Sequence, residues 1–244
     1  MRSPIDQDWR YNANMRWALV VGLVTACAST PVAVDLNKTE VDRVIASHSA
    51  STRTIPEPTT LAGKPWQVGQ WALYIHRGAN AQPAYQRIRI VGEGSCGMWI
   101  SAEARTYRNH YRWRLCIHPG ERVANVLDLV QVFIIQHDGA AKTVDVHSGD
   151  SRVLHDREGF ISALLPPQIA DNDPRLARED VDVPAGHFVR VLRETVHVDD
   201  GSEVLRWFSP DVPFDGTIKR QTKAFDFVLL AYGDSSTPDD SGDW

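Results

Sequence analysis

Short runs in which apolar and polar residues alternate, separated by Gly, Pro and Asp-Gly punctuation, constrain this chain more than any other feature. Trp71, Leu73 and Ile75 alternate with Gln70, Ala72 and Tyr74, and Tyr111, Trp113, Leu115 and Ile117 alternate with Arg112, Arg114 and Cys116. A period of two sends successive side chains to opposite faces of an extended strand, so both stretches predict strands with one face in water. Residues 127–135 are apolar at both parities and predict a more deeply buried strand, which Asp138-Gly139 turns tightly into 142–146. Asp200-Gly201 joins predicted strands at 188–198 and 203–208, and 225–232 closes the pattern. Helix signals are few: Asp156 caps a run over 157–165 that Pro166-Pro167 stops, and 38–46 has a weakly amphipathic spacing. The expected class is α+β, mostly antiparallel β. A curved sheet wrapped around a helix, or a half-open barrel, with one or two helices would manage the sheet edges best.

The amino-terminal end predicts export. Arg10 and Arg16 precede an apolar run over 17–26, which ends in Val24-Thr25-Ala26-Cys27. Charged, apolar and small-residue regions in that order read as a signal peptide, and ten residues fall well short of the roughly 20 that span a bilayer. The tetrapeptide resembles the lipobox of bacterial lipoproteins, in which the cysteine thiol is acylated and the chain is cut just before it. That resemblance implies a signal peptide over 1–26 and a lipidated Cys27. A plain secretory signal is the alternative; it would export the chain without anchoring it. Ala28 stands where, by resemblance to enteric lipoproteins, Asp would favour retention in the inner membrane, so the periplasmic face of the outer membrane is the expected address. An initiator at Met15 in place of Met1 would change only the precursor.

Charge and composition divide the rest of the chain. The first 27 residues carry Arg2, Arg10 and Arg16 against Asp6 and Asp8, so residues 28–244, at −6, are one unit more acidic than the whole chain at −5. Such a balance offers no footprint for nucleic acid. Residues 27–60, rich in Ser, Thr, Ala and Pro, read as the lipidated cysteine and a flexible tether; 61–233 read as one β-rich domain; 234–244, with Asp234, Asp239, Asp240 and Asp243, read as an acidic disordered tail.

Cys96 and Cys116 are the thiols left once Cys27 is acylated, and an oxidising compartment favours their pairing over two free buried thiols. A hairpin of 95–102 with 110–117 centred on Thr106 would set them directly opposite, about 5 Å apart and within disulfide reach.

Several motifs recur in order along the domain: Val68-Gly69-Gln70-Trp71, Ile90-Val91-Gly92-Glu93 leading to Trp99-Ile100, Val183-Pro184-Ala185-Gly186-His187-Phe188, Trp207-Phe208-Ser209-Pro210-Asp211-Val212-Pro213 to Gly216-Thr217-Ile218-Lys219, and Leu230-Ala231-Tyr232-Gly233. On these the chain resembles an uncharacterised group of bacterial lipoproteins and secreted β proteins. That group is broadly similar in architecture to the periplasmic lipoprotein carrier and its outer-membrane receptor, whose half-barrel sheets hold acyl chains. Fold does not fix function, and the motifs themselves read as structure: Ala185-Gly186 as a turn, Pro210 and Pro213 as breaks in pairing, the tryptophans as core.

Enzyme chemistry finds no support. The nine histidines make no HExxH, and the cysteines have no CxxC spacing. His137-Asp138, His147 with Asp150, and His155-Asp156 flank predicted turns. Ser95 lacks a GxSxG elbow, and Gly92-Glu93-Gly94 lacks the strand-to-helix context that cradles phosphates. No catalytic residue, metal or cofactor is expected. Two readings of a non-catalytic envelope lipoprotein stay open. In one, a concave sheet holds an acyl chain or other apolar ligand, with Trp66, Trp71, Trp99, Trp113 and Trp207 as candidate lining. In the other, an envelope scaffold meets a protein partner, and its tryptophans fill the core.

Overall fold

Alternation becomes sheet along most of the chain. The computed structural model describes residues 32–48, 51–60, 63–78, 82–95, 97–107, 110–117, 131–135, 141–144, 176–197 and 202–236. A helix, α1 (Val32–Ser47), and a two-residue strand, β1 (Thr54–Ile55), come first. Next comes a meander in which each strand is antiparallel to the one before: β2 (Trp71–Gly78), β3 (Ala84–Gly94), β4 (Gly97–Thr106), β5 (His110–Ile117), β6 (Gln131–Ile135) and β7 (Ala141–Val144). A second meander comprises β8 (Leu176–Val183), β9 (Gly186–His197), β10 (Glu203–Phe208), β11 (Thr217–Gln221) and β12 (Phe225–Gly233). The last strand then pairs antiparallel with β2, from Phe225 opposite Gly78 to Gly233 opposite Trp71. One sheet results, in the order β1-β9-β10-β11-β12-β2-β3-β4-β5-β6-β7, with β8 also paired to β9. It is mostly antiparallel, curved and, among the described strands, not closed into a barrel; β1, parallel to β9, is the exception.

Bulges supply part of the curvature, since an extra residue increases local twist. Two of them fall between Ile90 and Gly92 on β3 and between Leu229 and Ala231 on β12. The second changes the alternation: Leu230 and Ala231, neighbours along β12, both pack on the α1 side.

Each face has its own apolar cluster. On one, Val41 and Val44 of α1 pack with Trp71, Leu73, Ile75, Tyr85 and Leu230. On the other, Tyr74, Ile88, Ile90 and Ile100 from β2–β4 gather with Val181, Val183 and Phe188 from β8 and β9. Strands far apart in sheet order share that second cluster, so the curve closes around its own side chains. The β8–β9 turn shows how tightly the chain is drawn in there: Gly186 has φ +141°, and a Cβ on it would meet the Arg53 carbonyl oxygen at 2.5 Å. That is the turn expected at Ala185-Gly186.

Three expectations need correction. The stretch 27–60 is not simply a tether, because α1 and β1 lie within it and Val41 and Val44 are wholly buried. Two valines at i and i+3 are enough to dock a helix whose other described positions are mostly polar. Next, β2 has no wet face: α1 covers the Trp71 side while the second cluster covers Ala72 and Tyr74, both fully buried. Finally, Cys116 lies opposite Trp99, three residues from the expected partner, because the β4–β5 ladder runs on to Arg105 opposite His110 and its turn falls beyond Thr106. Cys116 is itself buried and disulfide-bonded. Cys27, Cys96, the proposed helix at 157–165, the two Asp-Gly turns and most of the acidic tail lie outside the described residues.

Candidate functional site

Beside α1, one face of β3–β5 gathers several arginines. Register stacks the residues in rows: Tyr85, Arg105 and His110; Arg87, Glu103 and Arg112; Arg89, Ser101 and Arg114. Neighbouring strands lie about 4.8 Å apart, so five arginines share a few hundred square ångströms with a single carboxylate, Glu103.

That carboxylate is almost completely buried. His110 Nε2 sits 2.6 Å from Glu103 Oε1, Arg105 Nη2 lies 3.4 Å from the same oxygen, and the Tyr85 hydroxyl donates to it at 3.4 Å. Arg87 Nη1, itself almost fully buried, lies 3.4 Å from Oε2. Burial pushes the Glu103 carboxyl up, but the His110 hydrogen bond and the charges of Arg87, His110 and Arg105 outweigh it and hold the group below its ordinary range. Glu103 is thereby spent on the inner groups.

The described carboxylates of α1 are engaged as well. Glu40 is bound by Arg43 at 2.8 Å, while Asp42 is bound by Lys38 at 2.6 Å and accepts from the Tyr107 hydroxyl at 2.7 Å. Arg89 and Arg112 are half-buried and Arg114 is exposed; among the described residues no carboxylate pairs with any of the three. Guanidinium forks held on a rigid sheet match the oxygens of phosphate or carboxylate, which is what such a face can bind.

A second polar centre lies on the opposite side, in the loop between β10 and β11. Asp215, buried, accepts from Arg206 Nη2 at 3.0 Å, Arg220 Nη2 at 2.8 Å and the Thr217 backbone N–H at 2.9 Å. The loop closes where Ser209 N–H donates to the Gly216 carbonyl at 2.9 Å; Gly216 has φ +72°, and a Cβ there would meet the Ser209 oxygen at 2.6 Å. Arg220 lies 5.9 Å over the Phe227 ring, Phe227 stacks on Tyr74 at 4.4 Å, and His76 meets Phe227 edge-on at 4.4 Å. Burial holds His76 below the usual histidine range, against a hydrogen bond with Gln86 that works the other way. This constellation ties β2, β10, β11 and β12 together and is structural.

The tryptophans proposed as a ligand lining are not gathered into one site. Trp71 is buried on the α1 side, where Trp99 also falls by its odd-numbered register with Ser101 and Glu103. Trp207 belongs to the other cluster, with its indole N–H donating to Glu179 Oε1 and Lys219 lying 5.0 Å over its ring. Trp66 packs against that same cluster, edge-on to Phe214 at 6.0 Å. The backbone of Trp113 pairs with Ala102 and Ile134. His137, His147 and His155 lie outside the described residues, and among the described residues no group of three or more His, Cys, Asp or Glu is placed to hold a metal ion. The arginine rows were visible in the sequence only as the polar half of an alternation; what concentrates them is the pairing of three particular strands.

An open curved antiparallel sheet with one docked helix and one basic face is the class these observations define. No protein-family model matches the chain, and no curated protein matches it. Among solved structures, the hypothetical protein CT021 from Chlamydia trachomatis aligns with 73% of this chain and 92% of its own at 11% identity and a TM-score of 0.38. A protein described as a putative lipoprotein from Parabacteroides distasonis aligns with 72% of this chain and 100% of its own, also at 11% identity, with a TM-score of 0.33. Alignments at these scores do not establish a shared fold, and the functional reading rests on this chain's own residues.

Proposed function

We propose that this protein is an exported envelope lipoprotein, anchored through Cys27 at the periplasmic face of the outer membrane, whose curved sheet serves as a rigid non-catalytic scaffold for a surface or a protein partner. The amino-terminal half of the proposal rests on Val24-Thr25-Ala26-Cys27 at the end of the apolar run. The scaffold half rests on one observation: the described apolar side chains on the inside of the curve pack against one another. Ile88, Ile90, Ile100 and Phe188 are each at most 1% exposed. Side chains so enclosed serve as core, whereas an acyl-chain carrier needs a continuous apolar cavity of about 300 Å³ or more.

Two measurements test the two halves. Cys27→Ser should leave the precursor uncut and release the protein from the membrane fraction, while the wild-type amino terminus should be a lipid-modified Cys27; identical processing and attachment of the variant would remove the lipoprotein reading. Mass spectrometry of the protein purified from its native envelope should find no stoichiometric lipid beyond that on Cys27. A co-purified acyl ligand would restore the carrier reading in place of the scaffold.

A further inference from the structure

We infer that the arginine face of β3–β5 is a docking surface for anionic phospholipid headgroups of the same bilayer that holds Cys27; the inference rests on the lipoprotein reading for its geometry. Three independent observations converge on it. The first is charge: among the described residues no carboxylate pairs with Arg89, Arg112 or Arg114, which share one face of a chain whose overall charge is −5. Of the nearby carboxylates whose side chains are described, Glu103 is committed to Arg87, Arg105 and His110, and Glu40 and Asp42 to their own helix neighbours and Tyr107.

The second is the length of the leash. Four residues, Ala28 to Pro31, separate Cys27 from Val32, the first residue of α1, so the two lie at most about 17 Å apart along an extended chain. A lipid on Cys27 therefore keeps the start of α1 close to the headgroups. The third is the side of the sheet on which α1 lies. Its valines pack on the face that carries the arginines, and Lys38, on the second turn, sits 5.3 Å over the ring of Tyr107 just past the end of β4. The arginines thus lie on the same side of the sheet as the helix that follows the tethered cysteine.

Arginines near an anionic surface act independently of one another to first order, each strengthening binding about fivefold. Their attraction is screened over roughly 10 Å at moderate salt.

The test uses the mature chain, residues 27–244, bearing Cys27→Ser so that no acyl chain contributes; it contains the whole compact unit from Pro31 to Trp244. Co-sedimentation with vesicles of equal parts phosphatidylglycerol and phosphatidylcholine should show binding that falls as salt rises, with little binding to phosphatidylcholine alone. Arg112→Gln with Arg114→Gln should weaken that binding about 25-fold while leaving the unfolding midpoint nearly unchanged, since Arg114 is exposed, Arg112 is only half-buried, and among the described residues neither holds a carboxylate. Equal binding to both kinds of vesicle, binding to neither, or an unaltered double variant would overturn the inference. So would capture of poly-glutamate in preference to the vesicles, which would mark the face as a site for an acidic protein. Because no lipid is attached, failure here leaves the Cys27 fractionation result standing, and failure of that experiment leaves the vesicle result readable.

Discussion

Two buried carboxylates, Asp215 and Glu103, each answer to two guanidiniums, and their surroundings predict different responses to substitution. Asp215 lies wholly inside, between Arg206 and Arg220. Asp215→Asn leaves those arginines without their counter-charge and should cost about 3–5 kcal/mol, read as a lowered denaturation midpoint, because removing one member of a buried ionic set strands the others. Glu103 governs the acid limb of stability instead. Its carboxyl is held below the ordinary 4.5, so the folded state binds a proton less readily than the unfolded chain. Its contribution is therefore complete above about pH 4.5 and is lost as pH falls through the lowered value. His76, held neutral by burial below its ordinary 6.5, acts in the same direction over a higher window: stability falls as pH drops below 6.5, because only the unfolded histidine protonates readily. Unfolding midpoints measured across pH should thus show two separable losses, the upper removed by His76→Gln and the lower flattened by Glu103→Gln. A variant that leaves its own window unchanged would contradict the assignment.

At the scale of elements, α1 is held to the sheet by few of its described side chains. Val41 and Val44 are its fully buried contacts with the sheet, and each truncation to Ala removes about two methylene equivalents, worth roughly 1.5 kcal/mol. Val41→Ala with Val44→Ala should lower stability by about 3 kcal/mol and abolish amide-exchange protection in α1 while protection in β2–β4 persists. The helix was legible only as a weak spacing inside a supposed tether, because over 38–46 Val41, Val44 and Ile45 stand among Lys38, Glu40, Asp42 and Arg43 and make little pattern. The strands were far plainer. Alternation over 71–75 and 111–117 announced β2 and β5, and the turn at Ala185-Gly186 was visible in residue types alone. The β4–β5 register was not, because the two cysteines suggested a centre at Thr106 while the ladder continues past it, and a shift of three residues reverses which side chains share a face. The arginine face depends on that register, so the sequence showed its members without showing that they stand together. Asp215 was hidden for a similar reason: Arg206 and Arg220 become its neighbours only once β10 and β11 pair, Arg206 opposite Arg220.

The molecule as a whole is two meanders sewn into one sheet by a single seam. An α+β class with a curved, mostly antiparallel sheet follows from composition and alternation, but nothing local to residues 71–78 or 225–233 says that they are partners, since they lie 147–162 residues apart along the chain. That seam has a consequence in time. A polypeptide is made, and threaded through any membrane pore, from its amino terminus onward, so β2 emerges long before the strand that completes it. Until β12 arrives, β2 presents an unpaired edge, and Tyr74 lacks the Phe227 ring that covers it. Such long-range closure is slow, and an unpaired apolar edge is a template for aggregation. The first meander therefore cannot be completed until nearly the whole chain is present, and the two halves of the sheet reach their final pairing together.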